Sequence, residues 1–187
     1  MIVDEKKDQL EAKMEIKVDI ETAEPGSMSE ITGSYDLVQD SSKVSFVLGP
    51  KQQTKGAFKK VNGKVVIADE IENSTFQIEL QMTDFTTFDE YQTESLLSSE
   101  YFDAAKFPSM SYSGNKLIEK EDGQYEIQGE FTMLGVSKKL PVLVQRLVQG
   151  DQKILIGKGS IDRTEFGMTP SSSEGNIVDF TFKIVLE

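Results

Sequence analysis

From Ser34 onward the chain alternates apolar and polar residues with a period of two. Val44 and Phe46 begin the pattern, and Phe76, Ile78, Leu80 and Met82 then face away from Gln77, Glu79 and Gln81. The same rhythm returns at Tyr125, Ile127, Phe131 and Met133, and again at Val178, Phe180, Phe182, Ile184 and Leu186. Successive side chains of a strand point to opposite sides of a sheet, so each run predicts a strand with one dry and one wet face. Dipeptides that tolerate positive φ angles stand between the runs: Asn62-Gly63, Asp122-Gly123 and Gly150-Asp151. They predict tight antiparallel hairpins and hence a meander. One stretch departs from the alternation. Thr87 and Glu90 have capping-box spacing, and Phe88 to Ser98 carries Tyr91, Leu96 and Leu97 without glycine or proline, which predicts one short helix.

Seven or eight such strands with a single helix suggest a sandwich or a closed up-and-down barrel, and closure is preferred because it removes exposed sheet edges. With 28% charged residues the chain does not suit a membrane barrel, whose apolar side chains face outward, so the apolar rows are expected to point inward. Residues 1–33 read differently. Val3 to Lys13 is dense in charge, and Met14, Ile16, Val18 and Ile20 alternate with Glu15, Lys17, Asp19 and Glu21 as one half-buried strand. Glu24-Pro25-Gly26-Ser27 is expected to act as a breaker and Ser29 to Gly33 as a short linker. The chain thus divides into an N-terminal tail or arm over residues 1–33, with one added strand, and a β-domain over residues 34–187. An added edge strand belongs either to its own sheet or to that of a neighbouring copy, and the second arrangement makes a homodimer.

Composition narrows the chemistry. The 187 residues include no Cys and no His, which removes thiol nucleophiles, imidazole bases, disulfides and Cys/His zinc sites. Any enzyme here would have to run on carboxylates, lysines, tyrosines or hydroxyls. Thirty-two acidic against twenty basic residues leave a formal charge of -12, a surface that repels phosphate backbones, so nucleic acid is not an expected partner. No stretch approaches the ~20 apolar residues of a membrane-spanning helix. The paired acids Asp69-Glu70, Asp89-Glu90 and Glu121-Asp122 read as solvated surface, because neighbours on a strand point apart. Ser171, Ser172 and Ser173 have no histidine to serve as base and read as a loop. No catalytic residue and no metal site is assigned.

Arg146 and Arg163 are the only arginines among the twenty basic residues. Arg163 shares a strand face with Ile161 if that strand is regular, and it reads either as half of an ion pair at a strand end or as a ligand anchor. Eleven Phe and seven Met, with no Trp, supply the inward positions. Met adapts to irregular volumes and Phe gives broad flat contact, so the same inventory suits a packed core or a lumen holding one ligand.

Several segments in order then carry a family likeness. They are Tyr35-Asp36-Leu37, Ser42-Lys43-Val44-Ser45-Phe46 and Gly56-Ala57-Phe58, followed by Leu96-Leu97-Ser98-Ser99-Glu100-Tyr101-Phe102-Asp103-Ala104-Ala105-Lys106-Phe107-Pro108. The run from Tyr125 to Lys138 and the Arg-x-x-Phe-Gly of Arg163 to Gly167 complete them. From Ser34 to Glu187 the chain resembles the YceI-like family of lipocalin-like, polyisoprenoid-binding proteins. The resemblance implies an all-β fold, an extended eight-stranded antiparallel up-and-down barrel with one short helix. It also implies an apolar interior that holds a long isoprenoid or related lipid, and a periplasmic or secreted bacterial setting. The chain departs from the family at Ser41, Pro50 and Ser95, where histidines are frequent, and at Gln92-Thr93 in place of an Arg-Asp pair.

The expected function is non-enzymatic binding, transport or storage of a long apolar lipid, a polyisoprenoid or isoprenoid quinone, with no cofactor beyond that lipid. Phe46, Phe58, Met82, Leu96, Leu97, Phe102, Phe131, Met133 and Phe166 are the candidate lining residues. The alternative is a filled barrel that serves as an envelope interaction module, docking a protein partner or a second copy through the strand at residues 14–21.

Overall fold

The computed structural model describes residues 23–49, 54–87 and 89–187. The first strands are β1 (Glu24–Gly26), β2 (Gly33–Asp36), β3 (Lys43–Leu48), β4 (Thr54–Phe58), β5 (Asn62–Ile67), β6 (Thr75–Gln81) and β7 (Phe85–Thr87). Helix α1 (Glu90–Leu97) follows, and then β8 (Ser109–Glu119), β9 (Gln124–Met133) and β10 (Val136–Lys139). The last strands are β11 (Val142–Gln149), β12 (Gln152–Asp162) and β13 (Ile177–Leu186). The strand at residues 14–21 expected from the sequence lies outside the described residues.

Local turn chemistry explains the hairpins. Asp122 and Gly123 have φ of 57° and 69°, and Gln124 N–H donates to the Glu121 carbonyl at 3.2 Å, the two-residue turn that matches strand twist. Gly150, with φ of 59°, turns β11 into β12 so that Gln149 pairs with Gln152. A further tight turn, Leu134-Gly135 with φ of 53° and 73°, joins β9 to β10. Asn62-Gly63, expected to be a turn, instead begins β5 and pairs with Glu79 and Ile78 of β6. Its glycine serves close approach, since a Cβ at Gly63 would sit 2.2 Å from the Gln77 carbonyl oxygen.

Among the described residues the fold is all-β with one short helix, but the strand count and closure differ from expectation. Thirteen described strands form one antiparallel sheet rather than eight. Its order is β2-β5-β6-β8-β9-β11-β12-β13-β3-β4-β7, which is a meander only in parts, because β3 joins the sheet beside β13. The sheet curls without closing, and β2 and β7 are its ends. The reason lies at Lys59 to Val61: Lys59 N–H donates to Asp84 O at 3.0 Å, and the chain then enters β5 beside β2 and β6, leaving β4 and β5 unpaired with each other. Residues 36–38 tie one end of the curl together. Asp36 and Glu187 exchange backbone hydrogen bonds of 3.1 and 3.0 Å, and Val38 N–H reaches Val185 O at 2.8 Å.

The additional strands follow from splaying of long twisted strands. β9 pairs with β11 over Gln124 to Ile127 only. Toward its C-terminal end β9 is covered by β10, and the far end of β11 is covered by β1. Each short strand satisfies backbone groups that would otherwise be unpaired where the two long strands part.

Residues 24–31, expected as breaker and linker, are instead built into the fold. Met28 and Ile31 are 0% and 3% exposed and join the main core. Met28 N–H donates to the Tyr125 hydroxyl at 3.2 Å, while Arg146 Nη1 donates to Ser27 O at 2.6 Å and to Glu30 Oε2 at 2.5 Å. Truncation of a buried methionine leaves a cavity, so Met28→Ala is expected to lower unfolding free energy by about 2–5 kcal/mol in urea denaturation. A loose linker would lose almost nothing.

Candidate functional site

Side chains on the concave face of the curled sheet meet at its centre but do not fill it. A cavity of about 170 Å³ remains. Its walls follow the period of two: Val44, Phe46 and Leu48 from β3; Ile78 and Leu80 from β6; Phe131 and Met133 from β9; and Val178, Phe180, Phe182 and Ile184 from β13. Phe46, Ile78, Phe131 and Phe180 face inward yet are only half-buried, as side chains bordering unfilled space are. On the side of Phe76 and Val144 the interior is solid, packed by Val65, Leu117 and Tyr125.

Aromatic rings shape the walls. Phe85 stacks on Phe46 at 5.7 Å and 11° and meets Phe58 and Phe102 at 5.5 and 5.4 Å. Glycines make room for rings lying across the pleat: a Cβ at Gly157 or Gly159 would stand 2.3 or 2.5 Å from the ring of Phe182 or Phe180.

Of the nine residues expected to line a lumen, Phe46, Phe58, Leu96, Phe102, Phe131 and Met133 border the cavity. Met82, Leu97 and Phe166 do not. After Gln81 the chain tightens into a 3-10 turn, so Met82 leaves the strand alternation and packs into the core. Leu97 is the neighbour of the helical residue that does reach the cavity. Phe166 stands behind Phe131, edge-on at 5.6 Å and 73°. The sequence reading missed Met110, Tyr112, Met168, Phe180 and Phe182 as lining residues, along with Arg163 as an assigned one. Phe180 and Phe182 carried a signal, since they share parity with Ile184. Met168 carried none, because it lies in an irregular loop.

Polar groups near the cavity are mostly engaged. The Tyr112 hydroxyl donates to Leu140 O at 2.8 Å, and burial, helped by Glu126, pushes its pKa well above the usual tyrosine value. Among the described residues Arg163 is the only charged side chain on the wall; its Nη2 donates to Gly175 O at 3.2 Å and lies 3.8 Å from Glu174 Oε2. Among the same residues the wall bears no carboxylate and no group of acids is placed to hold a metal. Such a surface can exclude water and bind hydrocarbon, and it offers no acid and base pair for proton transfer.

Residues 89–107 cover one flank and contribute Leu96, Tyr101 and Phe102 to the wall. The helix is capped by Asp89, whose carboxylate accepts from Gln92 N–H at 2.8 Å, rather than by Thr87. Thr87 instead bonds Thr93 and the Asp89 carbonyl, at 2.8 and 2.7 Å. Among the described residues the other backbone hydrogen bonds of this segment are internal, as in Phe102 N–H to Leu96 O and Ala104 N–H to Leu97 O, both 3.0 Å. No residue of α1 is fully buried. The segment thus rests on the sheet through side-chain contacts, not through a ladder.

A curled antiparallel sheet around an apolar cavity defines an all-β protein with an internal binding space. The chain belongs to the YceI-like family, whose domain model matches residues 35–187. Among solved structures it is similar to BcnA of Burkholderia cenocepacia, with 21% identity, 77% of this chain and 95% of that one covered, and a TM-score of 0.68. A YCEI protein of Campylobacter jejuni gives 17% identity, 71% and 84% coverage and 0.63. A polyisoprenoid binding domain from Saccharophagus degradans, implicated in plant cell wall breakdown, gives 11% identity, 82% and 97% coverage and 0.64. No curated protein matches the sequence.

Two measurements check this architecture. In native-state hydrogen exchange the amides of residues 89–107 are expected to exchange at least about tenfold faster than those of β12 and β13, because no strand ladder holds the backbone of the segment. Tyr112→Phe is expected to cost about 1 kcal/mol at neutral pH through the lost hydrogen bond. Because the folded pKa of Tyr112 is raised, its contribution is complete below the unfolded value of 10.0 and is lost as pH climbs beyond it, so the deficit of the variant should shrink in alkali.

Proposed function

We propose that this protein binds the hydrocarbon chain of a lipid inside its curled sheet, without catalysing a reaction, and that the chain is isoprenoid. The observation that carries the reading is a cavity whose wall is almost wholly aliphatic and aromatic. Each CH₂ withdrawn from water contributes about 0.8 kcal/mol, so affinity grows with the length of chain enclosed and needs few polar contacts. Membership of the YceI-like family supports lipid binding, as does similarity to a domain described as polyisoprenoid binding.

Volume sets a condition on this reading. A space of about 170 Å³ is close in size to an engineered cavity of roughly 150 Å³ that admits benzene. A long chain therefore requires the walls to part, and the segment at residues 89–107 is a wall that joins the sheet through side chains rather than through a ladder. Methionines 110, 133 and 168, with their flexible thioethers, allow the rest of the lining to adapt. Carriage or storage of the lipid, and a periplasmic or secreted location, follow from the family likeness as parts of the same proposal. Cell fractionation tests the location directly.

Native mass spectrometry, before and after solvent extraction, is expected to find bound lipid or uptake of added isoprenoids. Ile78→Trp fills the cavity with an apolar ring. It should abolish most uptake while unfolding free energy stays within about 3 kcal/mol of the parent. Undiminished uptake in that variant, or no uptake by the parent after extraction, would overturn the proposal.

A further inference from the structure

We propose that the ligand of this cavity ends in an oxyanion and that Arg163 receives it. The inference rests on the lipid-binding reading above and deepens it from hydrocarbon in general to chains with a carboxylate or phosphate terminus.

Arg163 is 5% exposed, yet its charge is poorly matched by the protein. A guanidinium has five N–H donors. The structure gives one hydrogen bond, from Nη2 to Gly175 O at 3.2 Å, and leaves the buried Nε without a partner. The nearest carboxylate, Glu174, is 3.8 Å away, beyond hydrogen-bond reach, and its side chain is 48% exposed. Asp162 attracts Arg163 through charge but gives it no hydrogen bond, because its carboxylate accepts from the N–H and hydroxyl of Thr164 at 2.9 and 2.6 Å.

Arg146 provides the internal comparison. It too is buried with an unpartnered Nε, but it holds Glu30 at 2.5 Å and the Ser27 carbonyl at 2.6 Å, and it does not border the cavity. One buried arginine therefore has a tight acidic partner within the chain. The other lacks one and borders the empty space. Buried cations without partners are costly, and the planar guanidinium suits carboxylate and phosphate oxygens better than any other partner.

Position favours the same conclusion. Arg163 follows Ile161, which pairs with Val178, and Val178 pairs with Leu48, so apolar walls begin beside the guanidinium. On its other side the half-exposed Glu174 marks the way to solvent. An oxyanion here keeps partial hydration while its chain lies in the dry interior. Glu174 is then a competitor that the ligand displaces.

The test uses the full chain after solvent extraction and four farnesyl-chain probes: farnesoic acid, its methyl ester, farnesyl phosphate and farnesene. Affinities are read by displacement of a fluorescent apolar dye. Farnesoic acid or farnesyl phosphate is expected to bind at least about tenfold more tightly than farnesene, with the tighter of the two identifying the terminus. Arg163→Met should erase that advantage, so that acid, phosphate and farnesene bind alike, and Glu174→Gln should enlarge it several-fold without touching the arginine. If Arg163→Met does not fold, the Glu174→Gln result and the parent's ranking of the four probes still decide. Equal binding of acid, ester, phosphate and hydrocarbon by the parent overturns the role of Arg163, with water filling its donors, and leaves lipid binding standing. Binding of none of the four overturns both.

Discussion

A sheet that curls on itself brings one face of every strand toward a common axis, and the volume of those side chains decides whether the centre is solid. In this protein the two outcomes coexist. Beyond Phe76 and Val144 the interior is filled by Val65, Leu117 and Tyr125, with Met28 and Ile31 in the same continuous core. Between β3, β6, β9 and β13 the phenylalanines stand around a space that their own rings do not occupy. Rings that lie across Gly157 and Gly159 use room on the neighbouring strand, and the centre stays open in consequence. Closely packed interiors have few voids larger than water, so an apolar one of this size is a feature to be explained by what enters it.

Backbone hydrogen bonding imposes the second constraint. Long twisted strands diverge, and each divergence leaves donors and acceptors that must find partners. β1 and β10 are short because they meet only that need. One of them recruits residues before the family domain, so residues 24–31 are part of the folded unit through β1, Met28 and the Arg146–Glu30 pair. The same constraint distinguishes two kinds of wall. β12 and β13 pair over ten residues each, whereas among the described residues those at 89–107 hydrogen-bond within themselves and to Thr87.

The two arginines illustrate how burial turns one side-chain type to different uses. Arg146 closes an internal contact with a segment far away in sequence. Arg163 stands at the boundary of the cavity with donors to spare. An apolar wall with a single under-satisfied cation at its border selects for a chain with a terminus, and it separates the source of affinity, which is length, from the source of orientation, which is charge.

How much of this was legible depended on the range of the interactions involved. The period-two rows at Phe76 to Leu80 and Val178 to Leu186, the turn at Asp122-Gly123 and the single helix follow from local preferences, so the all-β class and the inward apolar face were readable from residue order. The missing bases and thiols were equally plain from composition. Pairing partners were not, because β3 lies beside β13 across most of the chain length and β4 declines its sequence neighbour β5. That is why eight strands in a closed ring were expected and an open sheet of thirteen is found. Met82 and Phe166 have the right character and the wrong depth, since a 3-10 turn redirects one and Phe131 screens the other. Residue types along a strand determine which side is dry. Whether that dry side is filled, and which cation keeps unused donors there, is decided only when distant strands set the volume between them.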